Sequence, residues 1–119
     1  MKELLINTLL TFDYPVVLQG SINKDEKYPD SFFTFWNNDS YDGSHYDNVP
    51  INNIWNFDVN FYSIDPTLVN TKLLEAKSLL INKGFIISGK GYDVASDEPT
   101  HTGRGMNVLK IENEEEIIW

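Results

Sequence analysis

Between Ile54 and Tyr62 the chain alternates without a break. Trp55, Phe57, Val59 and Phe61 fall on one side, and Asn56, Asp58, Asn60 and Tyr62 on the other. A period of two over this length is the signature of a strand with one apolar face. An isolated strand cannot bury such a face, so the chain needs a second layer to cover it. That layer follows at once. Asp65 is a good N-cap and Pro66 suits the first helical position, while Lys83 and Gly84 provide the matching C-terminal signals. Within residues 66–83, Val69, Leu73, Ala76 and Leu80 form one stripe at helical spacing. The expectation is that the odd-numbered face of 55–61 packs against this stripe.

The other segments are shorter. Residues 2–12 read as an amphipathic helix through Leu5, Leu9 and Phe12, ended by Tyr14-Pro15. Val16–Leu18, Ser31–Asn37, Phe85–Ser88 and Met106–Glu112 read as strands. Residues 23–30 and 38–48 are rich in turn formers and read as loops. Residues 90–105 read as a long loop or hairpin arm, ordered through contact with a neighbour. The order α-β-β-β-α-β-β has no repeated βαβ unit. It therefore predicts an α+β fold: a single mostly antiparallel β-sheet with two α-helices packed on one face. With 119 residues the chain makes one domain, residues 1–119, with an acidic C-terminal tail at 113–119.

Little here points to chemistry. The chain has no cysteine, which excludes disulfides, thiolate metal sites and cysteine nucleophiles. No apolar run approaches the roughly 18 residues of a membrane span, and no membrane partner is expected. Eighteen acids against nine bases give a net charge of −9, and the bases are scattered. Sequence-specific nucleic-acid binding, which relies on a basic footprint, is not expected. His45 and His101 sit in polar, glycine- and aspartate-rich stretches without metal-ligand spacing. Gly89-Lys90-Gly91 and Gly103-Arg104-Gly105 do not open a helix after a strand, so they read as turn glycines rather than phosphate cradles. The expectation is no catalytic, metal or cofactor site and no cofactor.

What the expected core does not absorb is a set of apolar side chains. Ser31–Asn37 is apolar on both faces, with Phe32 and Trp36 opposite Phe33 and Phe35. Leu74 and Ile81 lie about 120–140° from the centre of the helix stripe. Tyr92 stands in the long segment, and Ile117-Ile118-Trp119 end the tail. Separate apolar patches on one small domain suggest burial in an assembly. Phe32, Trp36, Leu74, Ile81 and Tyr92 are the candidate subunit-interface residues.

Several stretches also resemble a known group. They are Phe33–Asp39, Asp42–Asn48, Trp55–Ser63 and Gly89–Gly105. In combination they resemble small structural proteins encoded among the head–tail joining genes of long-tailed bacteriophages and prophages of Gram-positive bacteria. The element order is similar to that of tail terminators. The resemblance implies a non-enzymatic subunit that forms a hexameric ring in the virion tail and is monomeric in dilute solution. It implies the phage tail tube protein and the head–tail connector protein as partners, with assembly in the host bacterial cytoplasm. Within the same group a head-completion or connector protein is the alternative. Two other classes stay open: a small-ligand or peptide-binding module using Trp36, Tyr41, Tyr46 and Trp55, and an enzyme using His45, His101 and loop acids.

Overall fold

The computed structural model describes residues 2–22, 27–38, 41–46, 49–96 and 98–113. For residues 41–46, 49–53, 112 and 113 the description is of the backbone alone. Helix α1 (Lys2–Leu10) leads into β1 (Val16–Leu18), followed by β2 (Ser31–Asn37), β3 (Tyr41–Tyr46) and β4 (Val49–Ser63). Helix α2 (Pro66–Asn82) precedes β5 (Tyr92–Val94) and β6 (Thr102–Asn113). The strands lie in the order β1-β2-β4-β6-β5, and β3 adds to β4 off this path. The five strands on the path follow one another with the helices as α-β-β-β-α-β-β. All pairings are antiparallel except that of β1 with β2. The fold is α+β, as the sequence predicts.

Both helices cover the same face of the sheet. Leu5 and Leu9 of α1, and Leu73, Ala76 and Leu80 of α2, share one core with Phe33, Phe35, Phe57, Val59, Phe61, Met106 and Val108. Trp55 packs against this core while remaining partly exposed. Val69 is buried too, but over Arg104 and Gly103 rather than among the phenyl rings. The helix ends form as the residues dictate. The Asp65 carboxylate accepts hydrogen bonds from the Thr67 N–H at 3.0 Å and the Thr67 hydroxyl at 2.8 Å. At the other end Gly84 takes φ 97°, and the Phe85 N–H donates back to the Leu80 carbonyl.

Two local expectations are corrected. The expected strand 85–88 is reduced to a single bridge, Ile86 to Leu109. Gly89 and Gly91, at φ 77° and 91°, turn the chain before a ladder can extend, and pairing resumes only at β5. The expected loop 38–48 instead contributes β3, which pairs with an N-terminal extension of β4. Pro50 hides that extension in the sequence. It is tolerated there because, among the described residues, Pro50 has a strand partner on one side, β3, the pairing of β4 with β6 being described as far as Asn52. β4 therefore runs for 15 residues, about 50 Å at the usual rise, which matches the longest dimension of 52 Å. Residues 90–105 do form a hairpin, β5 with β6, but it lies flat as the sheet edge rather than projecting.

Candidate assembly surfaces

The face of the sheet away from the helices is half covered. Phe32, Tyr62 and Gly103 lie in one row across it, followed by Thr34, Asn60, Gly105 and Tyr92, and then Trp36, Asp58 and Asn107. A parallel β1–β2 pair needs a long crossover, and residues 19–30 provide it. The crossover brings Tyr28 edge-on to Phe32, with ring centroids 5.8 Å apart. The loop before β6 brings His101 against the same two rings. The His101 Nε2–H donates to the Pro29 carbonyl at 2.7 Å and so clasps the two loops together, while Nδ1 meets the Thr100 hydroxyl at 3.0 Å. His101 is thus a buried, fully engaged structural histidine, with 8% exposure.

This covering corrects one candidate interface residue. Phe32 is only 2% exposed, stacked on Tyr62 at 5.3 Å, and has no apolar surface left to offer a partner. The period-two pattern leads one to expect the polar side of β4 in water, and the loops cover part of it. Asn60 and Tyr62 are buried, whereas Asn56 and Asp58 lie beyond the loops. There the Asn107 amide donates to Asn56 Oδ1 at 2.6 Å and to Asp58 Oδ1 at 3.2 Å, and the Asn38 amide also reaches Asn56 Oδ1.

The glycine motifs are explained by packing. A Cβ on Gly103 would fall 2.5 Å from the Tyr62 ring, and one on Gly105 would fall 2.1 Å from Asn60 Oδ1. These glycines exist so that far-face side chains can lie flat over β6. Arg104 projects to the helix side instead. It donates to Asp93 at 2.7 Å and to the Gly91 carbonyl at 3.0 Å. The Lys77 ammonium donates to the Gly89 carbonyl. Neither motif is an anion cradle.

The remaining candidates fall into two patches on opposite layers. Trp36, 49% exposed, and Tyr92, 46% exposed, stand on the far face of the sheet. Burial first and Asp58 second push the Tyr92 hydroxyl above its ordinary pKa. Ile81, 46% exposed, and the half-buried Leu74 form the ridge of α2. Ile86 and Ile111, both exposed, were missed by sequence reasoning; each sits on a strand register legible only once β6 is paired.

A further surface was also missed. β3, the first half of β4 and the end of β6 continue past the core as a three-stranded arm. Among the described residues β3 pairs with β4 alone, and β6 has no neighbour on its outer edge beyond the bridge at Leu109. Leu109 uses both its N–H and its carbonyl on that outer edge, to Ile86, so the Ile111 peptide two residues on faces outward as well. Among the described residues the arm thus has two open edges, one on each side. The side chains of Tyr41, His45 and Tyr46, and the tail from residue 114, lie outside the described residues. Among the described residues no group of three or more His, Asp or Glu side chains is placed to hold a metal ion, and no helix is long and apolar enough to cross a membrane. No protein-family model matches the chain, and no curated protein matches its sequence.

Proposed function

We propose that this protein is a non-enzymatic structural subunit of a long-tailed phage particle, of the tail-terminator type. In this reading a ring of subunits, hexameric in the particle, caps the tail tube and joins it to the head. The observation that carries the self-association is the arm with its two open edges. A ring is a head-to-tail arrangement and needs two different surfaces on each subunit. Joining the β3 edge of one copy to the β6 edge of the next continues the sheet from subunit to subunit. The opposed apolar patches, Trp36 with Tyr92 and Leu74 with Ile81, supply a second pair of non-identical surfaces. The assignment to a phage tail rests on the sequence resemblance, and the net charge of −9 suits a passage that DNA must traverse without sticking.

Full burial of one such apolar side chain contributes roughly 1.5–3 kcal/mol. A few of them do not outweigh the cost of association, so the isolated chain is expected to be monomeric when dilute and to assemble on the tail tube. Light scattering across a concentration series, then with purified tube protein, tests this. A defined oligomer on the tube supports the ring, and a monomer at all concentrations with no tube binding refutes it. In phage complementation, overlong tails or tails that fail to join heads on loss of the protein fit a terminator. Defective filled heads beside untouched tails fit the head-completion alternative.

A further inference from the structure

A pocket of about 620 Å³ opens on the loop-covered half of the far face, between the turn after β1 and the loop before β6. Phe32, Thr34 and Tyr62 form its floor, and Gln19, Tyr28 and Glu98 stand in its walls. Its size lies within the range of small-ligand sites, and it is separate from the arm and from the patches at Trp36 and Ile81.

Three observations restrict what it takes. The first is aromatic: the half-buried Tyr28 ring stands in the wall, set at 83° to the Phe32 ring of the floor. Ring faces of this kind attract cations. The second is an excess of acceptors. Glu98 stands in the wall, and among the described residues the Gln19 amide oxygen accepts one long bond, from Asn60 Nδ2 at 3.4 Å. The Thr34 hydroxyl in the floor is buried and has no hydrogen-bond partner among the described residues. The third is charge: no lysine or arginine lines the pocket among the described residues, on a chain of net charge −9.

Among the described lining residues an anion finds no cation to pair with. An apolar molecule leaves the Thr34 hydroxyl unpaired, a state that costs about 1–3 kcal/mol in a buried group. A planar cation with several N–H groups meets all three conditions. It stacks on a ring, pairs with a carboxylate and donates to the remaining oxygens at once. We propose that this pocket binds a guanidinium group, with Glu98 as counter-ion, Tyr28 as the stacking wall, and Thr34 and Gln19 as acceptors. Gln19, exposed at the rim, is the side chain that moves aside to admit it. The group is carried either by a free compound or by an arginine side chain of another protein, and the pocket chemistry is the same for both.

The test is a titration of the ¹⁵N-labelled full chain at constant ionic strength, read by amide chemical shifts. The probes are arginine amide, citrulline amide as its uncharged counterpart, and the capped tripeptide Gly-Arg-Gly. The expected result is saturable shifts at Gln19, Thr34 and Glu98 with millimolar affinity for arginine amide, and binding of citrulline amide weaker by about tenfold or more. Tighter binding of the tripeptide assigns the group to a protein-borne arginine; equal affinity assigns it to a free compound. Glu98→Gln is expected to weaken binding about fivefold while leaving the spectrum otherwise unchanged, and Thr34→Val provides a second variant that keeps the β-branched shape. No saturation by about 50 mM, equal binding of citrulline amide, shifts centred elsewhere, or an unaltered affinity in Glu98→Gln would each overturn the proposal.

Discussion

Replacing Gly105 by alanine should destabilise this protein, although an alanine within a strand is ordinarily favoured over glycine by about 0.5–1 kcal/mol. The reason is local. The new Cβ would stand 2.1 Å from Asn60 Oδ1 and 3.1 Å from a Tyr92 ring carbon, where ordinary contact begins near 3.4 Å. Asn60 is 5% exposed, and its amide nitrogen is held by Gln19 and Tyr62, so the side chain cannot simply turn away. Overpacking costs about 1–3 kcal/mol, and an approach this close belongs in the upper part of that range, about 2–3 kcal/mol, so the net loss is roughly 1–2 kcal/mol after the gain in strand preference. At about 4 °C per kcal/mol, the melting temperature should fall by roughly 4–8 °C. Asn60→Ala alone should cost less than about 1 kcal/mol, because the carbonyl it removes is buried with no partner among the described residues and its two hydrogen bonds are long. The double variant then has room for the Gly105→Ala methyl and should recover about 1 kcal/mol or more relative to additivity. Urea unfolding followed by tryptophan fluorescence, with thermal melts as a second probe, measures all four corners of the cycle. A neutral or stabilising Gly105→Ala, or strict additivity in the double variant, would refute the packing argument.

The remaining predictions address the core, the clasp and the assembly surfaces. Phe57→Ala, at a fully buried position beneath α2, should cost about 3–5 kcal/mol in the same unfolding assay. Tyr92 titrates above its ordinary value of 10.0 through burial first and Asp58 second. The unfolded chain therefore loses this proton first, and stability should fall as pH rises from 10 through the raised value; absorbance at 295 nm should show Asp58→Asn moving the Tyr92 titration downward. Leu74→Glu with Ile81→Glu should leave the circular dichroism spectrum and melting temperature nearly unchanged while abolishing completed tails, and normal infectious yield would remove this ridge from the interface. Ile111→Pro deletes an outward N–H without touching the β4 ladder, so it should spare the fold and block assembly, as read by light scattering on the tube.

The alternation at 55–61, the Asp65-Pro66 start and the Gly84 stop are local signals, readable because each depends on neighbours within a few residues. They settled the class of the fold, the main helix and most of the core. The absence of cysteine was equally plain in the composition. Pairing between distant segments was not. Whether Phe32 met a partner or the protein's own interior depended on the β1–β2 crossover and on His101, 69 positions further along the chain, reaching the Pro29 carbonyl. The arm was hidden because Pro50 reads as a strand breaker unless its place opposite His45 of β3, past the described pairing of β4 with β6, is known. Gly103 and Gly105 look like turn residues until Tyr62 and Asn60 are seen lying across them. Sequence periodicity determines which face of an element is apolar. Only the tertiary structure decides what covers the other face, because that covering comes from loops whose own order depends on the contact.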